Sequence, residues 1–423
     1  MRTSEEIIII GAGAAGLIAA RELSAHHTVT VLEARETTGG RIQTVYKDGV
    51  KSAETGAEFV HGELPITLGL LKEAGLSYYN IYGKMFQVRD GKWDARYEMI
   101  EDWDGLLEKM SAIPTDTTMQ AFLNEHYPGE QYASLHESVQ SFVQGYDLAD
   151  MTKVSVKALY REWTNESEKN FRIDRGYSAM IHFLEDVCRR QQARIITNAV
   201  VSHIEWSAGM VKVTTKAGTT YTGTKVIIAV PLGILQQGAI HFSPALPAHT
   251  TAVHQIGWGT VIKTVLAFKE PFWEKHAEQM GFLLGKAPIP TWWTQLPDKA
   301  NVLTGWLGGP PAIPHLHKTN EALLEMALQS LAILCNESID MLKAQLVESH
   351  ISNWATDPHI SGSYSYSTPA TTAAQVVLNT PVDGTIYFAG EALYNGASPG
   401  TVEAALSTGK AVAERILKRA SQK

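Results

Sequence analysis

Four consecutive isoleucines, Ile7–Ile10, open the patterned part of the chain and run into glycines and alanines: EEIIIIGAGAAGLIAARELSAHHTVTVLEA. So short a continuous apolar run predicts a strand covered on both faces, as in a parallel sheet. Residues 14–24 then follow helical spacing, and TVTVLE alternates as a second strand. A strand pair is expected near 42–54 and a helix over 63–75, stopped by Gly75. Residues 76–170 alternate short strands (YNIYG, MFQVRDGKW) with amphipathic helices, among them 101–111 and 130–145. GYSAMIHFLEDVCRRQ, from 176, reads as a helix. RIITNAVVSHIEW, MVKVTTKAG and TTYTGTKVIIAV read as strands, ending at Pro231. GTVIKTVLAF, 259–268, alternates again, with Val261, Lys263 and Val265 on one face and Ile262, Thr264 and Leu266 on the other. PTWWTQ, VLTGWLGGPPA and a helix near 319–334 follow. The strand TIYFAGE leads into a long helix, where Val402, Ala405, Leu406, Val412, Ala413 and Ile416 keep helical spacing.

Within this pattern Gly11, Gly13 and Gly16 form G-x-G-x-x-G between a strand and a helix. Gly11 permits a tight turn, Gly13 the approach of a pyrophosphate, and Gly16 close packing of helix on strand. Phosphates held by such a turn sit on a helix N-terminus, where free N–H groups and the dipole favour negative charge. Glu33 ends the next strand. A carboxylate there accepts hydrogen bonds from an adenosine ribose and repels a 2′-phosphate, which selects NAD or FAD over NADP. Gly39-Gly40-Arg41, one loop later, resembles the flavoprotein extension of this fold, in which a Gly-Gly-Arg loop helps hold FAD. Two glycines admit close backbone approach and an arginine pairs with phosphate. FAD is the expected cofactor.

The fold class expected is therefore α/β, with α+β character over two domains. A Rossmann-type FAD-binding domain is split into three segments, 1–75, 176–250 and 370–423. A substrate domain of mixed sheet and helices is inserted at 76–175 and 251–369. The active site is expected at their seam, where pockets commonly form. No repeat at solenoid periods interrupts this reading.

The 423 residues carry a formal net charge of −8, which argues against a nucleic-acid partner, because phosphate binding needs a basic surface. Cys188 and Cys335 are far apart and show neither a CxxC nor a metal-ligand spacing. No disulfide framework or metal site is expected, and two buried thiols fit a reducing compartment. The start, Met1 to Glu6, shows no signal-peptide pattern. No apolar stretch reaches the roughly 18 residues of a membrane span, and the tail ILKRASQK is polar. A cytoplasmic protein without a membrane partner is expected; oligomeric state is not legible.

The ordered motifs GAGAAG, LEARETTGGR, TGAEFVHG, RGYSAM, VIIAVPLGIL, GTVIKTVLAF, NWATDPHISGSYSY and FAGEALYNGASPGTVEAALSTG resemble the flavin amine oxidase family over nearly the whole chain. That family includes monoamine oxidases, polyamine oxidases and the lysine-specific histone demethylases. The resemblance implies that Ala15 and its glycine neighbours cradle the pyrophosphate. Glu33 takes the ribose, and Arg35, Gly40 and Arg41 lie against the cofactor. Ala57, Glu58 and Phe59 match a segment running past the flavin, and Val201 a residue that holds the adenine by its backbone. Trp354 matches a tryptophan near the flavin, and Glu391, ending the last strand, a residue at the ribityl or phosphate region. Thr401 and Val402 begin a helix whose N-terminus faces the flavin, where it stabilises charge developing on reduction. Tyr364 matches an aromatic facing the flavin, Lys263 a lysine holding a water beside flavin N5, and His61 a histidine near the amine in some polyamine oxidases.

The resemblance implies oxidation of a small mono- or polyamine, with hydride passing to flavin N5, hydrolysis of the imine, and O2 reduced to hydrogen peroxide. Ser363 stands where monoamine oxidases carry a cysteine bonded to flavin, so FAD is expected to be non-covalent. Thr401 replaces their second cage tyrosine. The long insert and extra N-terminal domain of the histone demethylases are missing, so a histone substrate is not expected. Trp292, Trp293 and Trp306 are candidate pocket aromatics, and Glu58 and Glu162 candidate partners of a distal ammonium. One alternative is an L-amino acid oxidase on the same fold, with Arg161 or Arg172 clamping the carboxylate. Another is a flavin-binding protein without amine turnover. Lys263 poses a physical question of its own, since a lysine in an interior strand costs free energy unless its ammonium finds a partner.

Overall fold

The computed structural model describes residues 5–420 except 48–49, 90, 97–99, 101, 166 and 168. The Met1–Ser4 start, position 101 of the helix expected over 101–111, and the last three residues of the tail lie outside the described residues.

Strands from three distant stretches of chain build one five-stranded sheet. Its order is Arg194–Ile196, Thr28–Leu32, Glu6–Ile10, Lys225–Ile228, Ile386–Phe388, and every pair is parallel. The isoleucine run lies at its centre. Ile7 and Ile9 pack into one core cluster, together with residues of helices Ala14–Ser24, Ser178–Arg190 and Val402–Ala420. Ile8 and Ile10 pack into a second cluster on the opposite face. Coverage on both sides explains why that strand has no polar alternation.

A second, seven-stranded sheet has the order Leu346–Asn353, Val261–Phe268, Val302–Gly308, Thr291–Trp293, Met280–Gly285, Lys84–Arg89, Lys92–Arg96. Its pairings are antiparallel except between Met280–Gly285 and Lys84–Arg89. Ile262 and Leu266 pack into a core cluster with Leu323, Leu331 and Leu334 of helix Asn320–Cys335. Every residue of Val261–Phe268 except Ala267 is buried, so both faces of this strand are covered. Helices Trp103–Ala112, Met119–His126, Ala133–Gly145 and Val156–Asn165 close around a separate cluster that includes Phe122, Phe142 and Trp163.

One element ends earlier than the sequence suggests. The last parallel strand stops at Phe388, and Glu391 opens a short turn, Glu391–Leu393, instead of ending the strand. Gly390, at φ 148°, breaks the extended backbone between them.

Candidate active site

A cavity of about 1360 Å³ is lined by the ends of strands from both sheets. At its nucleotide-like end lie Gly11, Gly13, Ala15, Glu33, Arg35, Gly40 and Val201. Helix Ala14–Ser24 begins here with no acidic residue in its first turn, so its free N–H groups and dipole meet no competing carboxylate on that turn. A Cβ built on Gly13 meets nothing within 4 Å, whereas one on Gly16 would fall 1.9 Å from the Gly11 carbonyl oxygen. Gly16 therefore packs helix on strand and does not line the cavity, which corrects its expected place among the cofactor contacts. The carboxylate of Glu33 accepts from Ala12 N at 2.7 Å and Arg35 N at 2.9 Å, which fixes its orientation.

The middle of the cavity is held by a crossing of loops. Arg41 donates to the Ser363 carbonyl at 2.5 Å and to Glu391 at 2.9 Å, and its guanidinium lies 5.1 Å from the Trp258 ring centre. Glu391 also accepts from Ser365 Oγ at 2.7 Å. Trp354 donates to Thr55 O at 2.9 Å, and Arg35 sits 5.6 Å from its ring centre. Ala57 N donates to Arg41 O at 3.1 Å. Thr401 Oγ1 accepts from Ala404 N at 3.2 Å, capping the helix that starts at Val402, and both residues line the cavity. The donors and the two helix ends suit a long, anionic, partly aromatic molecule, so a flavin dinucleotide fits the residues present.

The far end is aromatic. Phe59 lies 5.6 Å from Trp293 and 6.3 Å from Phe282, and Trp293 lies 6.0 Å from Trp306. His61 Nδ1 is 2.8 Å from Asn170 Oδ1. Tyr364 donates its hydroxyl to Tyr146 O. Burial pushes its phenol well above the usual 10.0, and the carboxylates of Asp147, Glu162 and Glu391 add to this, so the hydroxyl stays a neutral donor. Asp147, Glu162 and Tyr146 all line this end.

Lys263 finds protein acceptors for its buried ammonium. Its side chain is 2% exposed, and Nζ donates to Glu58 Oε2 at 2.8 Å and Gly56 O at 3.0 Å. A carboxylate thus compensates its burial. Glu58 Oε1 in turn accepts from Arg172 Nε at 3.1 Å, Trp293 Nε1 at 3.0 Å and Gln295 at 3.3 Å. Burial alone would raise the Glu58 carboxyl. The charges of Lys263 and Arg172 outweigh it and hold the group down to about 2. Glu58 lines the cavity beside the other expected residues of its segment, but its charge is committed to two cations and is not free for a substrate ammonium.

Two other expectations change. Arg172 is buried, bound to Glu58 and to the carbonyls of Thr294 and Leu296, and does not line the cavity; Arg161 is exposed and does not line it either. Neither is positioned as a carboxylate clamp. Trp292 turns away into the core behind the sheet and donates to Ile289 O at 3.0 Å, whereas Trp293 and Trp306 line the cavity. Tyr146, Asp147 and Asn170 were not singled out by sequence. They follow helix Ala133–Gly145 or open strand Asn170–Ile173, where no motif marks them.

The sequence model described as flavin containing amine oxidoreductase matches residues 14–417. The human protein Lysine-specific histone demethylase 2 is 27% identical over 461 residues, covering 98% of this chain and 53% of that protein. This chain therefore spans about half the length of that relative. Polyamine oxidase 2 of Arabidopsis thaliana is 28% identical over 459 residues, covering 98% of this chain and 89% of that protein. Among solved structures, wild-type putrescine oxidase bound to putrescine superposes with a TM-score of 0.81 at 19% identity, covering 98% of this chain and 99% of the other. Cyclohexylamine oxidase from Brevibacterium oxydans IH-35A gives 0.82 at 19%, covering 99% and 100%. The two structures share this chain's α/β architecture of sheets and helices.

Proposed function

Because this chain belongs to the flavin containing amine oxidoreductases, we propose that it is an FAD-dependent oxidase of a small mono- or polyamine. The carrying observation is the continuity of the cavity. The glycine turn and Glu33 line one part, the aromatic group Phe59, Trp293, Trp306 and Tyr364 another, and Lys263 shares the same walls. The names of two relatives, a polyamine oxidase and a putrescine-bound putrescine oxidase, support an amine as substrate.

When bound, FAD would supply the two-electron oxidation of a C–N bond, with hydride passing from the α-carbon to flavin N5, an imine left to hydrolyse, and O2 reduced to hydrogen peroxide. Gly13 and the start of helix Ala14–Ser24 would receive its pyrophosphate, and Glu33 its ribose. The helix end at Thr401 and Val402, on the cavity wall, would favour negative charge on a bound cofactor. Ser363, where covalent relatives have cysteine, leaves the cofactor held by contacts alone. The aromatic walls exclude water and orient the apolar arm of the amine. Asp147 and Glu162 give this end a negative potential that draws a cationic amine.

The purified protein should show the visible absorbance of bound flavin. An amine should bleach it without air, and peroxide should form with amines in air, while amino acids leave the flavin oxidised. A protein that takes up no FAD, or flavin that no amine bleaches, defeats this reading.

A further inference from the structure

We propose that Glu58 is a positioning residue: its buried ion pair with Lys263 fixes that ammonium on the cavity wall as a charged hydrogen-bond donor to whatever occupies the flavin site. The inference rests on the proposed reading of the cavity as a flavin site. It goes beyond that reading by assigning a role to a carboxylate that touches no reacting atom.

An ammonium has three N–H donors. Gly56 O and Glu58 Oε2 take two of them. Among the described residues no further acceptor takes the third, which remains on a side chain that lines the cavity and lies 5.6 Å from the Trp293 ring centre. Direction follows from this, because two fixed acceptors leave the ammonium one free donor direction. The arrangement is braced from behind. Arg172, 3% exposed and outside the cavity, donates to the other oxygen of Glu58. The cluster holds two cations and one carboxylate, and so carries one positive charge in a buried setting. The remaining titratable neighbours are Glu54, which feels the charges of both Lys263 and Glu58, and the His350–Glu348 pair on the adjacent strand. The last two sit opposite Val265 and Ala267, further along the same strand from Lys263.

Charge arithmetic makes the role testable. Glu58→Gln keeps the shape but leaves Lys263 and Arg172 without a counter-charge. Lys263→Met leaves Glu58 and Arg172 paired one to one. A buried pair broken on its anionic side leaves uncompensated cations, which is strongly destabilising. Glu58→Gln should therefore melt lower than Lys263→Met, and the double variant should recover part of the loss.

The decisive readout is the absorbance spectrum of the resting flavin in the FAD-loaded protein at one fixed pH. It needs no turnover, so it separates this proposal from the substrate reading. A charged donor fixed against the flavin site perturbs that absorbance, and one that has lost its orienting acceptor perturbs it less. Glu58→Gln should therefore displace the absorbance maximum in the same direction as Lys263→Met, and the double variant should add nothing to Lys263→Met. A Glu58→Gln spectrum identical to wild type, or a further displacement in the double variant, overturns the proposal. Should Glu58→Gln fail to fold, Glu58→Asp keeps the charge at a longer reach and should displace the maximum the same way by less. An unchanged maximum there overturns it equally.

Discussion

Arg41 Nη1 lies 2.9 Å from Glu391 Oε1, joining two residues 350 positions apart on the wall of one cavity. The same nitrogen reaches the Ser363 carbonyl at 2.5 Å, while Glu391 accepts from Ser365 Oγ at 2.7 Å. The Gly-Gly-Arg loop, the SYSY segment and the turn after the last parallel strand are thus fastened together by one planar guanidinium. A lysine presents a point charge without that fork. Arg41→Lys should weaken FAD binding about tenfold, roughly 1.4 kcal/mol, and Arg41→Ala more. Fluorescence titration of the apoprotein with FAD measures it. Equal affinity in all three proteins would remove Arg41 from the cofactor site.

The glycine turn offers a sharper contrast. Gly13 has ordinary backbone angles, φ −77° and ψ −176°, and open space where a methyl would go. Gly13→Ala should fold with stability within about 1 kcal/mol of wild type yet lose FAD, because the methyl would project into the space proposed for the pyrophosphate. Gly16→Ala should do the opposite first. Its methyl would meet the Gly11 carbonyl oxygen at 1.9 Å, so the helix must shift off the strand. Melting temperatures of the apoproteins beside FAD titrations separate the two. A destabilised Gly13→Ala would show that Gly13 serves packing instead.

Much of this was legible in local patterns. Isoleucines buried on both faces, glycines at the turn and the alternation around Lys263 each follow from spacing over a few residues. What escaped depends on register and partner choice. Trp292 and Trp293 must point to opposite faces of their strand; pairing with Val302–Gly308 decides that Trp293 faces the cavity. Nor could spacing show that Glu58 and Lys263, 205 positions apart, would meet. The sequence offered each as a separate candidate for a molecule in the site, and their geometry commits them first to each other. Arg172 misled for the same reason, since a buried arginine and a substrate clamp look alike until its acceptors are known.

Glu54 gives stability a pH dependence of unusual sign. Burial raises its carboxyl from the usual 4.5 to about 7, against hydrogen bonds from Tyr177 N and Thr44 Oγ1. Between those values the folded chain holds a proton that the unfolded chain has lost, so this group's contribution falls as pH rises from 4.5 to about 7. Glu58 acts oppositely: held down to about 2, it contributes above 4.5 and is lost as pH falls toward 2. Glu54→Gln should flatten the decline on the neutral side and leave the acid side unchanged. Urea unfolding at a series of pH values tests this. A wild-type stability that climbs steadily from pH 5 to 7, with Glu54→Gln parallel to it, would contradict the assignment.

Glu403 ties the helix that begins at the cavity wall to its neighbour. Its oxygens accept from Ile66 N at 2.9 Å, Thr67 N at 2.7 Å and Thr67 Oγ1 at 2.7 Å. Ile66 and Thr67 open helix Pro65–Glu73, whose N-cap residue, Leu64, makes no side-chain cap. Glu403 itself sits in the first turn of Val402–Ala420. One buried carboxylate therefore serves the N-termini of two helices, where negative charge is favoured. Glu403→Gln keeps one acceptor oxygen but turns an NH2 group toward the remaining donors, leaving at least one buried N–H unsatisfied. The expected cost is about 1–3 kcal/mol, read from urea unfolding of the apoprotein. Because Val402 lines the cavity, FAD affinity should fall together with stability, and added FAD should raise the melting temperature of the variant less than that of wild type. A variant as stable as wild type but weaker for FAD would mean that Glu403 acts on the cofactor directly, instead of through the helix it anchors.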